Sequence, residues 1–264
     1  MNLVLQLKAS LLALAVAQTA GMASADARQF EARVLSSVGT AAPDPGEKLV
    51  AFGTPVILHL AVQLDGRLLS AAPRGVWRRG GKAVPTTAPG EGWSVRWYKV
   101  EVESRALSNT DPAFHWEPIR YRDVELPSCR DEWSCEADVR ATLLADRGGL
   151  GTMAFKAEIA RDGRRAVSAG AEKLFRGGLD EDVARVTVRR DDSYLGRLTE
   201  LFNTPYIWGS AGEPAAVHQA ERRIGSDCAD FVTYGVRRLG HAVPYTSTWA
   251  LSEHTREVAE SDGP

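Results

Sequence analysis

Hydrophobic and polar residues alternate along most of the chain up to about residue 190, which is the pattern of strands with one buried face. The runs that carry it are residues 56–64, 93–102, 137–143, 153–159 and 186–188. Asp65-Gly66 and Asp162-Gly163 follow two of these runs, and such dipeptides are typical of tight hairpin turns. In the run 93–102 the hydrophobic phase shifts by one residue, which predicts a β-bulge. Strands joined by tight turns, with no convincing helix among them, predict an antiparallel β-sandwich.

The period becomes helical after residue 190. Residues 191–193 read Asp-Asp-Ser, a helix start signal, and this helix is expected to end before Pro205. A second helix is expected from Cys228 to about Gly240, since glycine commonly ends helices. The predicted hydrophobic faces consist of Leu195, Leu198, Leu201 and Phe202 in the first helix, and of Phe231, Val232, Val236 and Leu239 in the second.

These two patterns divide the chain and give its fold class as α+β. We predict a β-rich domain at residues 26–190 and a mostly helical part at residues 191–264. The composition is ordinary for a globular protein, with 44% hydrophobic and 25% charged residues. The net charge of −2 gives no general attraction to nucleic acid, so no nucleic-acid partner is predicted.

The first 25 residues have the organisation of a secretory signal peptide. Lys8 is the only charged residue, Leu11 to Ala17 form a short apolar core, and Ala23-Ser-Ala25 is a small-residue cleavage site. The apolar run is too short for a stable membrane span, so no stable membrane insertion is expected after cleavage. Export predicts a periplasmic or secreted protein. The alternative is a buried N-terminal helix.

The three cysteines have different predicted roles. Cys129 and Cys135 flank five residues, and in an oxidising compartment they can close a small disulfide loop. A metal clip is the alternative, but no histidine or further cysteine lies close enough in sequence to complete a zinc set. We therefore predict no metal site and no cofactor. Cys228 remains as an odd thiol.

Cys228 lies in the first turn of the second predicted helix. Ser226 or Asp227 can act as N-cap, because a side-chain oxygen there accepts from the unpaired amides of the first turn. The positive end of the helix dipole favours the thiolate, which is the nucleophilic form. The alternative is a structural cysteine, since free cysteines are among the most buried residues.

The stretch Thr204-Pro-Tyr-Ile-Trp-Gly209, followed by Asp227-Cys228 and an amphipathic helix, resembles the NlpC family of bacterial cell-wall cysteine peptidases. The resemblance implies that residues 191–264 form the N-terminal, mostly helical half of a papain-like fold. It also implies that Cys228 is the nucleophile, and that Tyr206 and Asp227 lie beside the bound peptide and recognise its free amino end. The family usually continues Asp-Cys with Ser-Gly. This chain has Ala229-Asp230 instead, which leaves its substrate choice open.

By this resemblance the protein is expected to be an exported cysteine peptidase or amidase that acts on peptidoglycan stem peptides. The thiolate would attack an amide carbonyl, and water would hydrolyse the resulting acyl-enzyme. Two other classes stay open. One is a non-catalytic cell-wall-binding protein in which the β-rich domain is the working part. The other is an envelope structural protein in which Cys228 is only a core residue.

A cysteine nucleophile needs a partner, usually histidine, that later protonates the leaving amine. The histidines of the chain are His59, His115, His218, His241 and His254. In the NlpC family the catalytic histidine begins a strand after a Gly-Asp-Leu type segment, and the 36 residues after Cys228 contain no such segment. We therefore expect the base to lie outside this chain and the 264 residues to be catalytically inactive.

Overall fold

The computed structural model describes residues 30–72, 77–79, 82–84, 86–103, 119–175, 178–207, 209, 218–244 and 247–255. The predicted signal peptide, His115 and Trp208 lie outside these residues. The described part is a mixed α+β structure in which strands predominate, in agreement with the predicted fold class. The strands within it are β1 (Phe30–Val38), β2 (Lys48–Ala51), β3 (Val56–Leu64), β4 (Arg67–Ser70), β5 (Trp77–Arg79), β6 (Lys82–Val84), β7 (Ser94–Val102), β8 (Tyr121–Glu125), β9 (Ser134–Glu136), β10 (Gly151–Arg161), β11 (Arg164–Val167), β12 (Leu174–Phe175), β13 (Gly178–Leu179) and β14 (Ala184–Arg189).

Two larger sheets carry the architecture. In the first sheet β3 pairs with β1 along its whole length, and it also pairs with β4 and β9. The second sheet has the order β2-β14-β10-β7-β8, and β11 also pairs with β10. The pairs β5–β6 and β12–β13 form small separate ladders. The pairing of β14 with β2 is parallel, so the prediction of an antiparallel arrangement is wrong for this pair.

The two large sheets share one hydrophobic core. Leu58 and Leu60 enter it from β3, and Phe155 and Ile159 enter it from β10; all four are fully buried. Burying a side chain of this size contributes about 1.5–3 kcal/mol. The runs 56–64 and 153–159 lie in strands β3 and β10, as predicted.

The predicted disulfide is confirmed. Cys129 and Cys135 are bonded, with their Cα atoms 5.5 Å apart. Cys129 ends a short 3-10 helix, Pro127–Cys129, and Cys135 lies in β9. Both cysteines pack in the shared core, so the bond joins the first sheet to the segment that follows β8.

The predicted β-bulge in β7 is wrong, because this strand pairs with β10 and β8 in unbroken register. Trp97 lies on the inner face, and Lys99 and Glu101 continue that face at every second position. Val100 and Val102 are buried on the outer face. Both faces of the second half of β7 are thus covered, and a strand covered on both faces loses the simple hydrophobic alternation.

Residues 137–143, which were predicted to be a strand, form none in the structure. The Lys99 ammonium donates to the Arg140 carbonyl at 2.5 Å and to Thr142 Oγ1 at 2.8 Å. Glu101 Oε2 accepts from the amides of Thr142 and Leu143, each at 2.7 Å. Two buried side chains therefore satisfy backbone groups that a neighbouring strand would otherwise bond.

The chain after β14 packs on the outer face of the second sheet. Its helices in the described residues are α1 (Tyr194–Leu198), α2 (Cys228–Arg238), and the 3-10 helices Thr199–Leu201 and Ala250–His254. Ile207 and Ile224 form a hydrophobic cluster with Val102 of β7 and with Ile119. The Thr152 amide of β10 also donates to the Phe202 carbonyl at 2.9 Å. Strand β10 therefore supports the segment that leads to Tyr206.

The start of α1 follows the prediction, but its buried face differs in part. Ser193 is the N-cap, and its side chain accepts from the Gly196 amide at 3.1 Å. Leu198 and Leu201 are buried as predicted, whereas Leu195 is 58% exposed. The α-helix changes to a 3-10 helix at Thr199, so α1 is only five residues long.

Helix α2 buries a face that the hydrophobic pattern did not predict. Its buried residues are Ala229, Asp230, Thr233, Tyr234 and Gly235. Val232 and Leu239 of the predicted face are 37% and 45% exposed. A Cβ atom on Gly235 would lie 2.7 Å from a ring carbon of Tyr194. Helix α2 thus packs closely against α1 at Gly235.

Among the residues that the structure describes, none of the helices combines the length and the apolar character that a membrane crossing requires.

Candidate functional site

The start of α2 presents the Cys228 thiol to solvent. Asp227 is the N-cap, with extended backbone geometry, and its Oδ1 accepts from the Asp230 amide at 2.8 Å. Of the two caps that the sequence allowed, the structure thus uses Asp227. Cys228 is the first helical residue and is exposed.

The end of α2 also follows the sequence prediction. Gly240 has φ of +91°, the left-handed conformation that glycine adopts most readily. Its amide donates to the Arg237 carbonyl at 2.9 Å, and the His241 amide donates to the Val236 carbonyl at 3.3 Å. These two bonds are the Schellman pattern, which satisfies carbonyls of the last turn.

Tyr206 lies beside Cys228 because its backbone pairs with the residue before the N-cap. Tyr206 and Ser226 form a parallel bridge. The Ser226 amide donates to the Pro205 carbonyl at 3.2 Å, and the Ile207 amide donates to the Ser226 carbonyl at 3.1 Å. The Tyr206 hydroxyl lies close enough to Cys228 for the sulfur to influence its pKa.

The surroundings of the Tyr206 hydroxyl favour its protonated form. Burial raises the pKa of Tyr206, and the negative charges of Cys228 and Asp227 raise it further. The phenol is therefore a hydrogen-bond donor at neutral pH. The structure thus brings together Cys228, Tyr206 and Asp227, the three residues that the sequence marked as the site.

This arrangement is suited to nucleophilic chemistry at an acyl group. The first amides of a helix have no intrahelical acceptor, and they point toward the end where Cys228 lies. Such amides bind negative charge, including the oxyanion that forms when a carbonyl is attacked. The Asp227 carboxylate adds negative charge near the thiol, which fits a substrate with a cationic group.

A second polar cluster lies on another side of α2. Asp230 is fully buried, and its Oδ1 is 3.6 Å from His218 Nδ1 and 2.5 Å from an Arg237 guanidinium nitrogen. Arg237 also binds Glu221, with its Nε 2.6 Å from a carboxylate oxygen. The Asp230 side chain thus joins His218 and Arg237 in this cluster.

The cluster resembles a metal site in composition only. One ligand atom from each of His218, Glu221 and Asp230 lies within 4.8 Å of the others. The Arg237 guanidinium already contacts both carboxylates, and it supplies the positive charge that a cation would bring. We therefore describe the group as a buried ion-pair network. The hydrophobic pattern could not reveal it, because its members are polar and charged side chains.

His218 does not face the thiol in this arrangement. Successive residues of an α-helix are about 100° apart, so Asp230 points about 200° away from Cys228 around α2. His218 contacts Asp230 and lines a cleft of about 570 Å³ together with Arg237 and His241, toward the end of the helix. His218 is thus held on the side of α2 that Cys228 does not occupy.

The other described histidines have other surroundings. His59 is buried on the face of β3 opposite the shared core, with its ring nitrogens 2.9 Å from the hydroxyls of Ser37 and Ser134. His241 follows Gly240 at the far end of α2, and His254 is an exposed residue that ends the last 3-10 helix.

Comparisons of the chain with protein-family models, with curated proteins and with solved structures found no match.

Proposed function

We propose that this protein is an exported cysteine peptidase or amidase, periplasmic or secreted, that acts on peptidoglycan stem peptides. In this proposal the segment after β14 is the N-terminal half of a papain-like domain. The observation that carries the proposal is the exposed Cys228 thiol at the capped start of α2, with Tyr206 beside it. Exposure of the thiol also argues against the alternative in which Cys228 is only a core residue.

The reaction would begin with attack of the Cys228 thiolate on the carbonyl carbon of a peptide amide. A carbon–sulfur bond forms, and the carbonyl oxygen becomes an oxyanion that the first amides of α2 stabilise. The carbon–nitrogen bond then breaks, and the amine leaves with a proton from a general acid. Water hydrolyses the thioester, which releases a carboxylate and restores the thiol. The described histidines have other contacts or positions, so we assign none of them as that acid.

The neighbours of Cys228 suggest what the substrate offers. The Asp227 carboxylate carries negative charge at the start of α2, and the protonated Tyr206 hydroxyl beside Cys228 is a hydrogen-bond donor. A free peptide amino end is a cation with several donors, and it fits a site that has a carboxylate beside the nucleophile. Stem peptides with a free amino end are therefore the proposed substrate class.

The test uses a reagent that needs only the thiol and the binding groups. A short stem peptide with a free amino end and a C-terminal chloromethyl ketone is incubated with the full chain at neutral pH, and mass spectrometry locates the adduct. We expect alkylation at Cys228, faster than by the same peptide with an acetylated amino end. Cys129 and Cys135 serve as internal controls because their sulfurs are bonded to each other.

The matched control variant is Cys228→Ser, which has to abolish labelling. Equal rates with the free and acetylated peptides would remove the argument for stem-peptide recognition. A Cys228 that iodoacetamide cannot alkylate in the native protein would remove the argument for a cysteine enzyme.

A further inference from the structure

A ring of polar contacts connects the two large sheets to both sides of the Cys228 segment. On one arm, the Arg223 guanidinium binds the Glu47 carboxylate through two nitrogens, with Nε 2.5 Å from Oε1. Arg223 also lies near the Tyr234 hydroxyl, and that hydroxyl donates to Glu200. These contacts run from the segment before β2, through the turn that precedes Cys228, to the middle of α2.

The second arm returns from Glu200 to Glu47 through the outer face of the sheet. The Thr187 hydroxyl of β14 donates to Glu47 Oε1 at 2.6 Å, and it lies 2.6 Å from the Thr152 hydroxyl of β10. Thr152 Oγ1 is 2.7 Å from the Glu200 carbonyl oxygen. The six members of the ring are Glu47, Thr152, Thr187, Glu200, Arg223 and Tyr234.

Burial makes the ring costly to disturb. The Glu200 side chain is fully buried, and Arg197 and Arg238 also bind it, at 3.1 and 3.2 Å. The side chains of Arg223 and Glu47 are only 14% and 19% exposed. Removing one partner of a buried ion pair leaves an uncompensated charge, so the partner that remains moves toward water if the chain allows it.

The ring members in the C-terminal segment lie on both sides of the nucleophile. Arg223 is five residues before Cys228 and Tyr234 is six residues after it. Only Ile224, Gly225 and Ser226 separate Arg223 from the N-cap, and Ser226 is the residue that pairs with Tyr206. A shift of Arg223 would therefore change the distance between the Tyr206 hydroxyl and the Cys228 sulfur.

We infer that Glu47 is a positioning residue for the Cys228 thiol, and that it acts through Arg223 across a separation of 176 residues. The β-rich part of the chain thus has a role in the reaction: it holds the segment before α2 so that Tyr206 stays beside Cys228. The inference rests on the proposed function, in which this thiol is the nucleophile.

The test compares two charge-removing variants in the full chain. Glu47→Gln keeps the size of the side chain and removes the charge opposite Arg223. Glu158→Gln is the matched control, because Glu158 makes the same two-nitrogen pair with Arg165, at 2.6 and 2.7 Å, on the β10–β11 hairpin. The rate of Cys228 alkylation by iodoacetamide is measured from pH 5 to pH 10, under conditions in which the near-ultraviolet circular dichroism is native.

We expect Glu47→Gln to raise the midpoint of the alkylation profile by about one pH unit. A shift of this size corresponds to the free energy of about one hydrogen bond to a charged group. Glu158→Gln should leave the midpoint unchanged. A purely structural role of Glu47 would lower the unfolding temperature without moving the midpoint in the folded protein. If Glu47→Gln does not fold, Arg223→Lys takes its place. The lysine keeps the positive charge but cannot bind Glu47 through two nitrogens, so this variant also has to raise the midpoint.

An unchanged midpoint in the folded Glu47 variant, or in Arg223→Lys when that variant replaces it, overturns the inference and leaves the proposed function intact. A wild-type Cys228 that does not react with iodoacetamide overturns the proposed function, and this inference with it.

Discussion

Asp227 caps helix α2 and also carries the charge beside Cys228, and the variants Asp227→Ala and Asp227→Asn separate these two roles. Its Oδ1 accepts from the Asp230 amide at 2.8 Å, and the residue is 6% exposed. Asp227→Ala removes this acceptor and leaves a buried donor without its cap, which costs about 1–2 kcal/mol. For a chain of this size each kcal/mol lowers the unfolding temperature by about 2–4 °C, so a decrease of roughly 2–8 °C is expected.

Asp227→Asn should preserve the cap, because asparagine and aspartate are about equally good N-cap residues. The unfolding temperature of this variant should therefore stay close to that of the wild type, with a change in stability below about 0.5 kcal/mol. The charge beside Cys228 is lost, however. We expect labelling by the chloromethyl ketone with a free amino end to slow by about tenfold, since a charge-assisted hydrogen bond contributes about 1.5–3 kcal/mol.

Thermal unfolding by circular dichroism and adduct formation by mass spectrometry measure the two effects separately. The acetylated peptide is the control, and Asp227→Asn should hardly change its rate. Two results would refute the reasoning. A stability loss in Asp227→Asn as large as in Asp227→Ala would show that the charge, and not the cap, stabilises α2. An equal slowing with the free and acetylated peptides would show that Asp227 does not recognise the amino end.

Three further predictions follow from individual contacts. Burial lowers the pKa of His59 below its usual value. Below about pH 6.5 the unfolded chain therefore binds a proton that the folded chain does not, and thermal unfolding from pH 7 to pH 5 should show a loss of stability that His59→Gln reduces. Gly235→Ala should be destabilising by about 1–2 kcal/mol in denaturant unfolding, because contact with Tyr194 outweighs a gain in helix propensity of about 1 kcal/mol; a more stable variant would contradict it. Tyr206→Phe should slow iodoacetamide alkylation of Cys228 at pH 7 while changing stability by less than about 1 kcal/mol; an unchanged rate would exclude the Tyr206 hydroxyl as a source of thiolate stabilisation.

Local sequence signals predicted several elements correctly because each has a local physical cause. The strands around Leu58 and Phe155 alternate cleanly, since the opposite faces of these strands are less apolar. The cap at Asp227 and the left-handed Gly240 depend on one or two neighbouring residues. The closeness of Tyr206 to Cys228 was a different kind of prediction, since it came from the family resemblance and not from a periodic pattern.

The features that the sequence could not predict depend on packing partners from elsewhere in the chain or on buried charge. The hydrophobic shift in β7 arises because Val102 meets Ile207 and Ile224, which lie about a hundred residues later in the chain. The buried face of α2 includes Asp230, a charged residue that is stable there because Arg237 binds it. A hydrophobic period cannot identify a buried carboxylate, and its partner could not be assigned before the fold was known.

The position of the disulfide has a consequence for how the thiol stays free during oxidative folding. Cys129 and Cys135 are 6 residues apart, whereas Cys228 is more than ninety residues from either. Closing a loop about sixteen times longer costs about 2.5 kcal/mol more, which favours the short loop by roughly 60-fold in the unfolded chain. In an oxidising compartment the two nearby cysteines would therefore pair first. The Cys228 thiol would be kept reduced because it lies far along the chain from the other two cysteines, before any folded structure forms around it.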